Sequence, residues 1–251
     1  MKIEGPLIEG TLILRYKRFL ADVELADGRR LTVHCPNSGR MTACSEPGRP
    51  VLISDSENPK RKLRYTLEMI RMGRTWVGVN TGRPNRVVRS LIEADRIPEL
   101  QGYEEVRPEV FYGPEKRSRI DLRLTPGDGD PRPPCWVEIK NSTLRVDERE
   151  GDEGRLIPTA AFPDAVSARG TKHLEELTAI RRAGERAVIF FFIGRADCRR
   201  FRPADEIDPV YGRALRDAVA AGVEILAYRM RFTRDAVHLV DRLPVTLPPV
   251  P

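Results

Sequence analysis

Cysteines are few in this sequence, and they lie far apart. There are four in 251 residues, and no two of them form a CxxC pair. Structural zinc sites and disulfide-rich domains need closely spaced or numerous cysteines. The spacing therefore favours reduced, partly buried thiols over zinc ligands or a disulfide framework. The four residues are Cys35, Cys44, Cys135 and Cys198.

Long hydrophobic segments are also absent. The longest apolar run, Ala187 to Gly194, has the length of a buried strand and is too short for a membrane span. Met1 to Pro6 are not followed by the apolar region of a secretory signal. With 40% hydrophobic and 32% charged residues, the composition is typical of a globular protein. We expect this protein to be cytoplasmic.

Lysine is scarce among the basic residues. Only seven of the 43 are lysines, and the rest are arginines. Where positive charge alone is needed, this chain uses arginine, whose guanidinium keeps its proton, whereas a lysine can be tuned to exchange one. A lysine beside candidate catalytic groups, such as Lys140, is therefore more informative here than in a lysine-rich protein.

The basic excess lies almost entirely in the first third of the chain. Residues 1–82 contain 14 Lys and Arg against 9 Asp and Glu, whereas residues 83–251 contain 29 against 28. This distribution is typical of a nucleic-acid-binding part joined to a more neutral part. A solvated basic surface without a ligand is the alternative. We predict two domains, residues 1–82 and residues 83–251.

Short apolar segments with tight turns fill the first domain. Asp27-Gly28 is a hairpin turn signal, and no helical period is visible. Five or six short strands in about 80 residues predict an all-β, OB-fold-like closed barrel. The predicted strands are residues 7–16, 18–25, 30–34, 51–54, 63–72 and 75–79.

Two basic clusters with aromatic residues lie in this barrel. Their cations are candidate phosphate contacts, and Phe19 and Tyr65 could stack on bases. Packing of both rings in the barrel core is the other interpretation, and the sequence leaves it open. The cations are Arg15, Lys17 and Arg18 in the first cluster and Lys60, Arg61 and Lys62 in the second.

The loop from His34 to Met41 has an unusual composition. Pro36 and Gly39 restrict its backbone, while Asn37, Ser38 and Arg40 could contact phosphate. We take Asn37 and Arg40 as candidate nucleic-acid-binding residues, with an ordinary exposed turn as the alternative.

The second domain carries a motif of acidic residues and a lysine. In the strand Cys135 to Ser142, Glu138 and Lys140 point to the same face because side chains alternate along a strand. Asp121 lies in an earlier strand, opposite a face formed by Ile120, Leu122 and Leu124. A turn-rich connector, residues 125–134, allows the two strands to pair in antiparallel fashion.

This motif resembles the core of the PD-(D/E)xK nuclease superfamily, which implies metal-dependent phosphodiester hydrolysis. Asp121 and Glu138 could hold Mg²⁺ (or Mn²⁺) through their oxygens, with the Ile139 carbonyl as a third metal ligand. Lys140 could orient or deprotonate the attacking water. The motif is short, however, and an exposed strand edge with mixed charges would show the same pattern.

The rest of the second domain predicts strands that alternate with helices. Residues 186–193 read as a buried strand, 209–221 as a helix and 223–230 as a final strand, which implies a mixed sheet flanked by helices. Residues 145–159 are dense in charge and predict a mobile segment. A helix is predicted from Phe162-Pro163-Asp164 to Arg182. Its candidate phosphate-binding residues are Arg169, Lys172 and His173.

Several motifs together resemble the sugar fermentation stimulation protein A family. The resemblance implies an OB-like barrel followed by an α/β domain of the PD-(D/E)xK nuclease type, with Asp121, Glu138 and Lys140 in the nuclease positions. It also implies DNA as the partner, with RNA as a further candidate. The alternative function is a DNA-binding transcriptional regulator of sugar metabolism genes with an inactive nuclease fold. The motifs are residues 14–23, 34–39, 118–121, 137–140, 162–166, 169–174 and 243–245.

Overall fold

Alternating apolar residues build the strands of the first part of the chain. The computed structural model describes residues 1–112, 118–150 and 154–249. In the strand Leu20–Leu25, Ala21, Val23 and Leu25 are buried while their neighbours are partly exposed. This period of two is that of a strand with one face on a core. The strands are β1 (Leu7–Tyr16), β2 (Leu20–Leu25), β3 (Arg30–His34), β4 (Pro50–Asp55), β5 (Tyr65–Met72) and β6 (Thr75–Gly78).

These strands close into the predicted OB-like barrel. Their order in the sheet is β3-β2-β1-β4-β5-β6, and a parallel contact between His34 of β3 and Thr66 of β5 closes the first five strands into a barrel. Closure removes the free edges that an open sheet would expose. The core contains Leu12, Val33 and Leu67, all fully buried.

Within the described residues, the second part combines three α-helices with two sheets. Its main sheet has the order β15-β14-β12-β9-β8-β7, and a smaller sheet has the order β10-β11-β13. The helices are α1 (Pro84–Glu93), α2 (Ala168–Arg182) and α3 (Pro209–Ala220), with a short 3-10 helix at Pro98–Leu100. The strands are β7 (Glu105–Tyr112), β8 (Ser118–Thr125), β9 (Cys135–Ser142), β10 (Leu144–Glu150), β11 (Arg155–Phe162), β12 (Arg186–Ile193), β13 (Arg200–Pro203), β14 (Glu224–Phe232) and β15 (Val237–Arg242).

The main sheet is mixed, as predicted. Strand β12 runs parallel to both β9 and β14, whereas β8 pairs with β9 in antiparallel fashion. Helix α2 follows β11 and precedes β12, and α3 lies between β13 and β14. Phe190, Phe191 and Phe192 on β12 are buried because apolar clusters lie on both faces of this central strand.

Two predictions for this part differ from the structure. Residues 145–159, predicted as a mobile segment, lie mostly in β10 and β11, which pair in antiparallel fashion, and residues 151–153 lie outside the described part. Glutamates of β10 pair instead with arginines of β13, as between Glu148 and Arg202. Helix α2 begins at Ala168, after the N-cap Ser167, and Phe162 still belongs to β11.

The barrel and the main sheet share one hydrophobic core. Leu52 and Met69 of the barrel belong to the same buried cluster as Leu122, Phe190 and Phe232. The backbone N–H of Gly78 also donates to the carbonyl of Gly194 at 2.8 Å. The barrel is therefore packed directly on the sheet. Among the described residues, no helix is long and apolar enough to cross a membrane.

Candidate active site

The strands β8 and β9 separate where their carboxylates lie. Their register ends at the pair Leu122 and Val137, one residue before Asp121 on β8 and Glu138 on β9 would meet. The backbone N–H of Ile139 donates instead to Asp121 Oδ2 at 2.7 Å. A side-chain oxygen thus takes the place of a strand partner, and the opening brings both carboxylates to one site.

At the same opening, the apolar side chains of β8 change from one side of the sheet to the other. Leu122 and Leu124 pack in the cluster shared with the barrel, whereas Ile120 packs with Trp136 on the other side of the sheet. The prediction that Ile120 shares a face with the two leucines was therefore wrong. The change of face occurs at Asp121, where the ladder with β9 has already ended.

Asp121 is held by two donors in a largely buried position. Asn85, in the first turn of α1, donates from Nδ2 to Asp121 Oδ1 at 2.7 Å. Burial, and then the nearby charge of Glu138, raise the pKa of Asp121 to about 6 despite these hydrogen bonds. The ionised form is disfavoured because two carboxylates repel one another in a poorly solvated site.

Glu138 is almost completely buried, with 3% of its surface exposed. Burial alone would raise its pKa, but the hydrogen bond from His173 and the charge of Lys140 outweigh burial and lower it. Lys140 donates from Nζ to Glu138 Oε1 at 2.6 Å. Among the described residues, no hydrogen bond reaches Glu138 Oε2, so one oxygen of this carboxylate is free for a further ligand.

His173 contacts the site through both ring nitrogens. Its Nδ1 lies against Glu138 Oε1 and 3.1 Å from Lys140 Nζ, and Nε2 lies 3.3 Å from Arg169 Nε. Arg169 can only donate, so we infer that Nε2 accepts and that Nδ1 carries the proton donated to Glu138. His173 was predicted as a phosphate contact; in the structure it lines the cleft, and its ring orients Glu138.

The barrel forms one wall of the cleft above these groups. The cleft has a volume of ≈ 430 Å³ and opens between Asn37–Gly39 of the barrel and the first turn of α2. Asp164 joins the two walls, because its Oδ2 accepts from the N–H of Met41 at 3.0 Å. A Cβ at Gly39 would collide with the Asp164 carboxylate, so this close approach requires glycine.

The structure gives Arg15 and Asn37 internal roles in place of the predicted phosphate contacts. Arg15 donates to the carbonyls of Asn37 and Gly39 at 2.8 Å each, and to two further carbonyls. The Asn37 side chain, 5% exposed, donates to the Val79 carbonyl and accepts from the Gly39 N–H. Both residues therefore hold the barrel loop in place, and both terminal nitrogens of Arg15 donate within the chain.

Other predicted binding residues remain available at the surface. Arg18 and Arg169 line the cleft. Lys172 has a side chain that is 61% exposed, and it lies 3.5 Å from Glu176 outside the cleft lining. The remaining cations are exposed on barrel turns and loops; they are Lys17, Arg40, Lys60, Arg61 and Lys62.

Two residues that the sequence did not indicate belong to the site. Asn85 follows Pro84 in the first turn of α1, and a polar residue directly after a proline at a helix start is the local signal for it. The local sequence predicts Asp164 only as part of a helix start, and no local signal shows its contact with Met41, which is distant in the sequence. Long-range contacts of this kind have no sequence periodicity.

The groups present fit a hard divalent cation. Among the residues that the structure describes, no cluster of three or more His, Cys, Asp or Glu side chains is arranged around a common point. Asp121 and Glu138 alone would supply two carboxylates, as in Mg²⁺ sites, where waters and phosphate complete the ligand set. A cation would also relieve the repulsion that raises the pKa of Asp121.

Fold and site together define a class: an OB-like barrel packed on a restriction-endonuclease-like α/β domain. The family models match accordingly, the "SfsA N-terminal OB domain" over residues 13–79 and the "Sugar fermentation stimulation protein RE domain" over residues 82–236. The chain belongs to the sugar fermentation stimulation protein family.

Relatives support this assignment over the whole length. The sugar fermentation stimulation protein homolog of Geobacter metallireducens is 53% identical over 98% of this chain and 100% of the relative. The Geobacter sulfurreducens homolog is 54% identical over 98% of both chains. The solved structure of Pyrococcus furiosus SfsA in complex with Ca²⁺ is similar with a TM-score of 0.83 and 27% identity, covering 98% of each chain.

Proposed function

We propose that this protein is a metal-dependent nuclease that hydrolyses phosphodiester bonds of DNA, with RNA as a second candidate substrate. The observation that supports this proposal most is the convergence of Asp121, Glu138 and Lys140 where β8 and β9 separate. A purely structural pair of buried carboxylates would be costly, because like charges raise each other's energy in a poorly solvated site.

The metal would be held by Asp121 and Glu138, with the Ile139 carbonyl as a candidate third ligand, and Mg²⁺ or Mn²⁺ suits such oxygens. When bound, the cation supplies charge neutralisation at the phosphate and acidifies the attacking water. The Pyrococcus furiosus relative is a complex with Ca²⁺, which is likewise a hard cation with oxygen ligands. That relative supports, for this chain, a preference for such ions.

Lys140 would act on the attacking water and on the developing phosphate charge. Its side chain is 13% exposed and is fixed by the contact of Nζ with Glu138 Oε1. A fixed ammonium group beside the reacting phosphate stabilises negative charge that grows in the transition state. His173 would keep Glu138 oriented, because its Nδ1 contacts the same oxygen as Lys140.

The cleft would receive the nucleic acid from the side of the barrel. Arg18 on the barrel and Arg169 on α2 lie in its walls, and both can bind phosphate in bidentate geometry. The acidic pair at its base would repel phosphate unless a cation lay between them. The proposal therefore links cleavage to the metal, while the arginines could bind nucleic acid without it.

The experiment is cleavage of labelled single-stranded and double-stranded DNA and RNA, with Mg²⁺, Mn²⁺ or EDTA. The wild-type protein is expected to cut at least one substrate with Mg²⁺ or Mn²⁺ and none in EDTA, and Glu138→Ala is expected to abolish cutting. Glu93→Ala is a matched control, because Glu93 pairs with Arg89 on the surface of α1.

Two outcomes would contradict the nuclease. Undiminished cleavage by Glu138→Ala would mean that another active site, or a contaminant, cuts the substrate. A wild-type protein that binds DNA but cuts no substrate with either metal would favour the alternative function, a DNA-binding regulator with an inactive nuclease fold.

A further inference from the structure

Phe19 is an exposed aromatic residue with no partner inside the described part of the chain. Half of its surface, 50%, is accessible to solvent. It belongs to none of the four hydrophobic clusters that the described residues form. No other ring and no guanidinium lies against it there. The barrel core therefore does not explain a phenylalanine at this position.

Five other rings in the described part of this protein are covered by arginine. The guanidinium of Arg64 lies 5.5 Å from the ring centre of Tyr65, which also packs against the barrel core. Phe111 is 59% exposed, but Arg119 lies 6.0 Å from its ring centre. Three further rings have the same arrangement: Trp76, Tyr103 and Trp136. The open face of Phe19 stands apart from this pattern.

The turn that carries Phe19 is fixed on both sides. The carbonyl of Arg18 accepts from Arg15 Nη2 at 2.8 Å, and the carbonyl of Phe19 accepts from the N–H of Cys35 at 2.8 Å. Lys17 and Arg18 both have left-handed backbone angles, with φ of 48° and 64°. Such angles are unusual for these residue types and persist only where the surroundings hold them. A ligand would thus meet a preformed surface and would not have to order it.

The turn lies at the edge of the candidate active site. Arg18 lines the same cleft as Asp121, Glu138 and Lys140. Lys17, its neighbour in the turn, is exposed. A base stacked on Phe19 would therefore place its flanking phosphates near two cations, and the strand would continue towards the carboxylates.

We propose that Phe19 is a stacking platform for an unpaired base and that, with Lys17 and Arg18, it makes the protein bind single-stranded nucleic acid in preference to a duplex. Bases in a duplex stack on each other, so only an unpaired base can offer its face to a side chain. The inference rests on the proposed function in one respect only, namely that the bound strand leads into the same cleft.

The test measures equilibrium binding of the full-length protein in EDTA, so that cleavage cannot contribute. The probes are a fluorescent single-stranded DNA, the same sequence as RNA, and its DNA duplex. Phe19→Ala is expected to weaken single-strand binding roughly 5- to 100-fold, while duplex binding, which depends on phosphate contacts, changes less than about twofold. Phe19→Trp should retain single-strand binding, because it keeps an aromatic face.

Phe111→Ala is the matched control, since it removes an equally exposed ring that already has an arginine partner. Its binding should equal that of the wild type, and thermal unfolding should show that all variants are folded. Unchanged single-strand binding by Phe19→Ala, or an equal loss for strand and duplex, would overturn the proposal. If the wild type binds single strands through Phe19 but cuts nothing with Mg²⁺ or Mn²⁺, the nuclease fails and the stacking platform stands.

Discussion

The barrel and the main sheet place their charged groups in opposite environments. On the barrel, cations such as Lys17, Arg18 and Lys60 are exposed at turns, and residues 1–82 carry most of the basic excess. In the sheet, Glu138 is 3% exposed and its partners Lys140 and His173 are each 13% exposed at their side chains. Exposed charges act at long range and are screened by salt, whereas buried charges depend on a few fixed contacts.

Removing one charged residue should therefore have a different effect in each of the two regions. Loss of a barrel cation should weaken attraction gradually, because many cations share it. Loss of one member of the buried cluster should abolish a specific step or leave a neighbour without its partner. The predictions below contrast the two regions.

The largest effect is expected at Lys140. Lys140→Ala should slow single-turnover cleavage by about 10²-fold or more, because a group that transfers or orients a proton is lost. Divalent-ion binding should survive, because the proposed ligands are Asp121 and Glu138. Lys140→Arg should not restore the rate, since a guanidinium keeps its proton. Lys172→Ala is the control, and a cleavage rate for Lys140→Ala equal to that of the control would contradict the role.

The second prediction contrasts Arg15, which should matter for stability, with Arg18, which should matter for nucleic-acid binding. Arg15 bonds to four carbonyl groups, so Arg15→Ala should lower the free energy of unfolding by about 2 kcal/mol or more. Arg18 has an exposed side chain in the cleft wall, so Arg18→Ala should leave stability unchanged and weaken nucleic-acid binding. Denaturant unfolding of both variants measures this difference. Equal free energies of unfolding for the two variants would contradict the structural role of Arg15.

The third effect concerns pH and stability without metal. The pKa of Asp121 rises from 3.8 to about 6 on folding, so the folded state holds this proton more tightly than the unfolded state. Its contribution to stability is therefore complete below about pH 4 and is lost as the pH rises through about 6, by on the order of 3 kcal/mol.

Unfolding of the wild type and of Asp121→Asn, measured in EDTA between pH 4 and pH 7, tests whether the stability contribution of Asp121 falls as the pH rises. The stability of the wild type relative to the variant should fall across that range. A relative stability that rises with pH would mean that Asp121 is stabilised in its ionised form, contrary to the environment described.

The smallest effect is expected from the exposed cations. The double variant with Lys17→Ala and Arg18→Ala should reduce the dependence of single-strand affinity on salt, its logarithmic slope falling by about 1 to 1.5. Lys172→Ala, which removes a cation that pairs with Glu176 outside the cleft, should change the slope less. Equal slopes for the wild type and the double variant would place the nucleic-acid surface elsewhere.

Much of the barrel could be predicted from sequence because its signals are local. The strands β1 and β3 have the predicted bounds, Leu7–Tyr16 and Arg30–His34. Alternation and a hairpin signal each depend on neighbouring residues only. The hairpin of β10 and β11 was not predicted, because its strands are rich in charged residues. In the structure these charges pair across the sheet, as Glu148 does with Arg200. In the sequence alone they indicated a mobile segment.

The candidate site was predictable in part. The period of two predicted that Glu138 and Lys140 share a face, and the structure brings both together with Asp121. Arg15 could not be predicted in this way. Its position next to an aromatic residue predicted a phosphate contact, but its guanidinium donates to carbonyl groups of a loop that is distant in the sequence. Composition shows which charges exist, and only the fold shows which of them are already satisfied.

Binding of Mn²⁺ measured by calorimetry tests the central claim most directly, namely that Asp121 and Glu138 hold one divalent cation. The wild type should bind one Mn²⁺, while Asp121→Asn and Glu138→Gln should each lose that binding and Lys140→Ala should keep it. Glu176→Gln is the control for a nearby carboxylate that bonds to Tyr112, and it should bind as the wild type does. Unchanged binding by the Asp121→Asn, Glu138→Gln double variant would contradict the account.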